Sequence, residues 1–293
     1  MNKEIIEEVA LNLIKEAAIY LPKDVKLELK RAYERESNAT ARTQLKTILA
    51  NIELAEKQQT PLCQDTGTVT FYAKAGSEAR NVDSLEAAII SATRKATIEV
   101  PLRPNAVDPF TQVNSGDNTG RFTPHLHLEI VKGDSLELTV LLKGAGSENV
   151  SALGMLNPGE GVKGLKKFVI DSVVKAGAQP CPPTILGVAV GGGADVAMEL
   201  AKKALLGPLG RFNSEPRLAR LERELLDAVN MTGIGPMGLG GDTTVLGVRV
   251  DYAHRHTASF PVAVAFSCWA ERKASAQIRG DGSVKYLTKR VAK

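Results

Sequence analysis

Residues 184–206 read TILGVAVGGGADVAMELAKKALL: a short apolar run, three glycines and a longer amphipathic run. A seven-residue apolar run that ends at glycine is typical of a buried strand. After Gly193, apolar side chains recur at helical spacing, so we expect a helix over 194–206. A strand followed at once by a helix is the unit of an α/β fold. The alternation continues with a charged helix over 214–230 and strands over 243–253 and 260–266.

The N-terminal part of the chain carries a purely helical pattern. Apolar side chains recur at helical spacing over residues 3–58, interrupted at Leu21 and Pro22, and Ser37 and Asn38 can cap the last helix of this block. From Thr60 onward the pattern predicts a strand over 68–73, a helix over 84–99, a hairpin over 125–142 and a helix over 161–176. The predicted fold class is therefore α/β (mixed α+β), with an N-terminal helical region (1–59) packed on a mixed-sheet region (60–293).

The composition is that of an ordinary soluble globular protein. Of the 293 residues, 43% are hydrophobic and 24% are charged. The net charge of +4 is spread along the chain, which argues against a nucleic-acid arm or a polybasic membrane segment. No apolar run reaches the roughly 18 residues that a bilayer crossing needs, and acidic residues interrupt the N-terminal segment. We therefore expect a cytoplasmic protein that binds neither nucleic acid nor membrane.

Three cysteines, Cys63, Cys181 and Cys268, lie far apart in sequence at junctions between predicted elements. An odd number without a CxxC pair is a poor disulfide framework and matches neither a zinc ribbon nor a ferredoxin pattern. Prolines on both sides of Cys181 restrict its backbone, and such rigidity lowers the ordering cost of binding a metal centre. Because free cysteines are often buried as small apolar side chains, the spacing alone leaves a structural role open.

Several motifs, taken in order, resemble class I fumarases and the related tartrate dehydratases, which are iron–sulfur hydro-lyases. They are CQDTG at 63–67, KGAGSEN at 143–149, the loop around Cys181, and the glycine-rich run 233–241 followed by HRH at 254–256. The resemblance extends over residues 60–278 and implies the alpha subunit of a two-subunit enzyme. It also implies that region 60–293 forms one integrated catalytic domain.

The resemblance implies a [4Fe-4S] cluster held by the thiolates of Cys63, Cys181 and Cys268. The fourth iron would keep an open coordination position and act as a Lewis acid toward a substrate carboxylate and the hydroxyl that leaves as water. A hydroxide is otherwise a poor leaving group. The alternative from another class is a non-catalytic metal-binding or redox-sensing module, in which the cysteines stabilise the fold or sense oxidation.

The same resemblance assigns the remaining site residues. It makes Asp65 and His256 catalytic, and it makes Gln64, Arg103 and Gly146 contacts of the substrate. Arginine suits a dicarboxylate because its planar fork pairs with two oxygens. For Asp65 the competing interpretation is a simple turn, and for His256 it is a structural histidine.

The implied reaction is the reversible hydration of fumarate to (S)-malate, with dehydration of L(+)-tartrate as the alternative. Fused family members continue into a second region that supplies further substrate-binding residues. We therefore expect a separate beta subunit, in an assembly built on a homodimer of alpha chains or on α2β2.

Two features depart from the patterns considered. Ala145 stands where relatives often have a third glycine, which removes some backbone freedom but keeps the flanking Gly144 and Gly146. The glycines at 191–193 lack the Lys-Ser/Thr of a P-loop and the spacing of a dinucleotide fingerprint, which argues against a nucleotide site.

Overall fold

Three helices open the chain, as the N-terminal pattern predicts: α1 (Lys3–Ile19), α2 (Lys23–Arg35) and α3 (Ala39–Gln58). The computed structural model describes residues 2–288. Asn38 caps α3, because its Oδ1 accepts hydrogen bonds from the amides of Thr40 and Ala41 at 2.9 and 3.1 Å. α1 ends before Pro22, as expected because proline disfavours the helical conformation in the residue that precedes it.

The other elements alternate strands with helices and confirm the mixed α/β class. In chain order they are β1 (Thr68–Gly76), α4 (Leu85–Glu99), β2 (His125–Val131), β3 (Leu136–Lys143), α5 (Ala145–Glu148), β4 (Ala152–Leu156), α6 (Gly161–Ala176), β5 (Thr184–Val190), α7 (Ala194–Ala204), α8 (Pro216–Asn230), β6 (Val245–Tyr252), β7 (Phe260–Ser267), β8 (Arg272–Ile278) and β9 (Val284–Tyr286). The sequence did not predict β4, β8 or β9. Within residues 2–288, no helix combines the length with the apolar character that a membrane crossing requires.

The chain groups into two compact units. Within the described residues, unit 1 comprises 2–23, 51–145 and 272–288, and unit 2 comprises 24–50 and 146–271. Each unit contains one sheet and its own apolar core. The division into regions 1–59 and 60–293 that the sequence suggested stays a prediction.

The described residues of unit 1 form a five-stranded sheet in the order β2-β1-β3-β8-β9. The hairpin predicted over 125–142 is wrong, because β1 lies between β2 and β3, parallel to the first and antiparallel to the second. Burial explains the order. Nearly every residue of β3 is buried, so β3 takes a central position with a neighbour on each side, whereas β2 is largely exposed and lies at the edge. α1 packs on β3 and β8 and against α4.

In unit 2, the described strands form a four-stranded sheet in the order β4-β7-β5-β6. β5 and β6 are parallel, whereas β7 runs antiparallel to both β5 and β4. The predicted strand at 184–190 is confirmed in full, and the helix predicted after the three glycines is confirmed as α7. The ends of β5 and β7 position the cysteines of this unit.

The close packing of α7 on β5 depends on Gly187. A β-carbon at this position would overlap the carbonyl oxygen of Ala201 and approach Leu205 Cγ to 3.2 Å. We expect Gly187→Ala to displace α7 and to lower the free energy of unfolding by about 1–3 kcal/mol, measured by urea denaturation. Gly120→Ala is the control, because its β-carbon meets no atom within 4 Å. Equal losses in the two variants would contradict this prediction.

Candidate active site

Cys63 lies in the loop that joins α3 to β1, where its side chain is exposed and forms no disulfide. This loop and the segment 101–103 line a cavity of about 510 Å³. Cys63, Gln64 and Arg103 all contribute to its wall. Unit 1 therefore brings together one predicted metal ligand and two predicted substrate contacts, and a guanidinium beside a thiol and an amide suits a small carboxylate ligand.

The Arg103 backbone is tied to the Cys63 loop by a buried threonine. Thr66 Oγ1 accepts a hydrogen bond from the Arg103 amide at 3.0 Å. From the other side, the buried Asn118 donates through Nδ2 to the Arg103 carbonyl oxygen at 3.2 Å. Neither residue was predicted as a component of the site. Thr66 lies inside the CQDTG motif and could have been noticed, whereas nothing in the sequence distinguishes Asn118.

The Asp65 carboxylate is bonded to two backbone amides. Its Oδ1 accepts from Gly67 at 2.9 Å and its Oδ2 from Ala145 at 2.8 Å, and the Arg272 guanidinium donates to the Asp65 carbonyl oxygen. The bond to Gly67 spans two residues within the motif, as in an Asx turn, and is compatible with both interpretations of Asp65. The bond to Ala145 joins the CQDTG motif to the KGAGSEN motif. Asp65 is not itself part of the cavity lining, and its catalytic role stays a prediction.

Unit 2 brings the other two cysteines together. Cys181 precedes β5 and Cys268 follows β7, and these two strands are antiparallel neighbours with Ile185 opposite Ser267. The amide of Trp269 donates to the carbonyl oxygen of Cys181 at 3.4 Å. Both thiols are partly exposed and free of disulfides. The two thiols therefore lie at the same end of the four-stranded sheet.

The loop that carries Cys181 is braced by the glycine-rich run 233–241. Cys181 itself has a φ of +54°, a conformation that is unusual for a residue with a side chain. The amide of Met237 donates to the Pro182 carbonyl oxygen at 2.8 Å. Gly146 also packs on this loop, since a β-carbon there would lie 2.8 Å from the Gln179 carbonyl oxygen. The predicted contact Gly146 is thus a neighbour of the Cys181 loop.

Gly238 provides a test of this bracing. Its φ is +75°, and a β-carbon would overlap that of Ala178, three residues before Cys181. We expect Gly238→Ala to increase the reaction rate of the Cys181 thiol with a disulfide reagent severalfold and to lower the free energy of unfolding by about 1–3 kcal/mol. The thiol rate is followed by absorbance and the stability by urea denaturation.

The matched control is Gly233→Ala. Gly233 has a similar φ of +65° but an open environment, so this variant introduces the backbone strain without the contact. Its thiol reactivity should equal that of the parent. If both variants change the Cys181 rate equally, the run 233–241 does not position the cysteine.

His256 lies exposed in the loop between β6 and β7. Its Nδ1 accepts a hydrogen bond from the Ala258 amide at 3.2 Å, so the neutral ring carries its proton on Nε2. β7 then runs for eight residues before Cys268, a span of roughly 26 Å at the usual rise of a strand. Unit 2 therefore places His256 at the opposite end of the sheet from Cys181 and Cys268. Its catalytic role stays a prediction.

The donor chemistry of the chain fits a cluster with three thiolate ligands, because none of the three cysteines forms a disulfide and none is fully buried. Within the described part of the chain, no three His, Cys, Asp or Glu side chains are grouped closely enough to hold a metal ion. Cys63 belongs to unit 1, whereas Cys181 and Cys268 belong to unit 2. The shared cluster therefore stays a prediction.

Comparisons with known proteins extend the likeness from the motifs to nearly the whole chain. The family model described as fumarate hydratase (fumerase) matches residues 7–277. A protein of Methanocaldococcus jannaschii, provisionally named L(+)-tartrate dehydratase subunit alpha, is 45% identical over 286 residues, or 95% of this chain and 99% of the relative. The L(+)-tartrate dehydratase subunit alpha of Escherichia coli is 34% identical over 277 residues, or 94% of this chain and 91% of the relative. This chain is therefore a hydro-lyase that belongs to the fumarate hydratase (fumerase) family.

Proposed function

We propose that this chain is the alpha subunit of a two-subunit hydro-lyase that acts on a small dicarboxylate. The observation that most directly supports this proposal is the cavity of unit 1, where Arg103 and Gln64 lie beside the exposed Cys63. The reaction proposed first is the reversible hydration of fumarate to (S)-malate, in line with the description of the matching family model. The second candidate is dehydration of L(+)-tartrate, which the names of the relatives support.

The proposed cofactor is a [4Fe-4S] cluster with Cys63, Cys181 and Cys268 as its ligands. Three thiolates are the donor set that leaves one iron of such a cluster without a protein ligand. When bound, the cluster supplies a Lewis acid that polarises a carboxylate and a hydroxyl of the substrate. The braced loop of Cys181 supports this proposal, since a ligand held in place before binding loses little freedom when it binds.

The proposed roles of the other residues follow from their contacts. Arg103 pairs through its guanidinium with one substrate carboxylate, and its backbone bonds to Thr66 and Asn118 hold it at the cavity. Gln64 contributes a hydrogen bond from the same wall. Asp65 is oriented by the amides of Gly67 and Ala145, and we propose that it exchanges a proton with the leaving oxygen.

The proposed partner is a separate beta subunit, since both relatives are named as alpha subunits. The decisive experiment rebuilds the cluster anaerobically and assays this chain with and without the purified partner on fumarate, malate and tartrate. We expect turnover only when both chains are present, and the preferred acid identifies the substrate. Turnover by this chain alone at an ordinary enzymatic rate would refute the need for a partner. A complex with a full cluster but no turnover of any of the three acids would favour the non-catalytic metal module.

A further inference from the structure

A second cavity, of about 650 Å³, opens in unit 2 at the carboxyl ends of the parallel strands β5 and β6. Gly191 and Ala253, which directly follow these two strands, form part of its wall, and helices α6 and α8 form the sides. Ligands of open α/β sheets commonly bind at this end of parallel strands. The cavity lies at the opposite end of the sheet from Cys181 and Cys268, so it is separate from the thiol pair. Its volume is typical of small-molecule sites.

The floor of this cavity is apolar. Leu165, Leu218, Leu221 and Phe260 line it, and all four belong to the buried core of unit 2. At the rim, Val162 is 57% exposed. The cavity wall is therefore largely apolar, and contact of its accessible part with an apolar ligand body is favourable. A small dicarboxylate offers no such body, so this cavity does not suit the proposed substrate.

The rim of the cavity is cationic. The lining includes three arginines, Arg217, Arg220 and Arg255, whereas its acidic residue is Glu224. That carboxylate is bound by Lys166 at 2.5 Å, a contact that lowers the pKa of Glu224. Arg217 also pairs with Glu215. The lining therefore carries an excess of positive charge beside an apolar floor.

Two of the arginines are held in place by neighbours within the unit. The Arg217 guanidinium lies 4.6 Å from the centre of the Tyr252 ring, and that of Arg255 lies 5.1 Å from the centre of the Phe260 ring. Arg255 Nη1 also donates to the carbonyl oxygens of residues 256, 257 and 259 at 2.8–3.0 Å. Cations that are already immobilised lose little freedom when an anion binds, which raises the affinity.

We propose that this cavity binds a small amphipathic anion. The apolar body of the ligand, flat or branched, packs on Leu218 and Leu221, and its carboxylate, sulfonate or phosphate group pairs with Arg217 and Arg220. The inference rests on the cavity of unit 2 alone and does not depend on the proposed hydro-lyase partner or cluster.

The test uses two fluorescent probes that share one ring system. Anilinonaphthalene sulfonate (ANS) carries an anionic group, and N-phenyl-naphthylamine is its uncharged counterpart. In titrations of the purified full chain, we expect saturable ANS binding at one site, weakened about tenfold in Arg217→Gln/Arg220→Gln because a charge-assisted contact is lost. The affinities of the parent and of this variant for the uncharged probe should differ by less than twofold. All the substituted arginines are on the surface, so folding should be unaffected.

Arg223→Gln is the matched control, since Arg223 also lies on α8 but stacks on Phe212, outside the cavity. It should leave the affinity for both probes unchanged. The proposal would be overturned if Arg223→Gln lost as much ANS affinity as the double variant. It would also be overturned if the double variant lost as much affinity for the uncharged probe as for ANS. Loss of ANS binding when the separate subunit joins the chain would identify the cavity as a protein interface and would also overturn it.

Discussion

Cys181→Ala is expected to remove the proposed iron–sulfur cluster and to lower kcat of the proposed two-subunit enzyme by more than about 10³-fold, since Lewis-acid activation supplies several kcal/mol of transition-state stabilisation. The physical reason is that two thiolates leave a second iron without a protein ligand. Iron and sulfide analysis, together with electron paramagnetic resonance of the reduced sample, measures the first effect, and steady-state assays measure the second.

The control for this prediction is Gln179→Ala, two residues away in the same braced loop. The contact of Gln179 with Gly146 is made by its backbone carbonyl, which the substitution retains. This variant should bind iron and sulfide as the parent does. If Cys181→Ala retains the full iron and sulfide content, Cys181 is not a ligand and the proposed three-thiolate site is wrong.

Arg103→Gln is expected to lower kcat/KM by about 10²-fold, chiefly through KM, while the iron and sulfide content stays unchanged. A planar guanidinium can pair with both oxygens of a carboxylate, whereas an uncharged amide cannot replace that pairing. The backbone of residue 103 should keep its position, because its bonds to Thr66 and Asn118 do not involve the side chain that is changed. Steady-state kinetics on the preferred acid measure the effect.

Arg121→Gln is the matched control for Arg103. Arg121 is also exposed and in unit 1, but its guanidinium stacks on Phe122, 5.5 Å from the ring centre, and it is not part of the cavity lining. Its substitution should leave kcat/KM within twofold of the parent value. The role proposed for Arg103 is refuted if Arg103→Gln retains the parent kcat/KM, or if the control loses as much.

Local pattern was sufficient to predict most of the individual elements. α1 and α6 have apolar side chains at helical spacing, and β5 is an apolar run that is followed by Gly191. Each of these elements is therefore specified by residues that are close together in the sequence. The pairing of strands is not local. Four residues separate β2 from β3, which favours a hairpin in the sequence, yet β1 comes between them because β3 buries nearly all of its residues and needs two neighbours.

The candidate site also combines residues that a local motif identifies with residues that only the folded chain brings together. Cys63, Gln64 and Asp65 are contiguous, so one motif was enough to identify them together. Thr66 and Asn118 act by bonding to the backbone of Arg103, and such a bond leaves no pattern in the sequence because any residue could supply the amide or carbonyl. For His256, the distance along the chain does not give the position in the fold. It is close to Cys268 in sequence, but the intervening residues form an extended strand that carries the two residues to opposite ends of a sheet.

The order of residues was therefore enough to identify the family, the mixed α/β class and the types of side chain at the candidate site, since short motifs and periodicities carry that information. Folding alone determined that β1 separates β2 from β3, that Trp269 links the loops of Cys181 and Cys268, and that an arginine-rimmed cavity forms where β5 and β6 end. These features arise from contacts between residues far apart in the chain, and burial in the packed core selects those contacts.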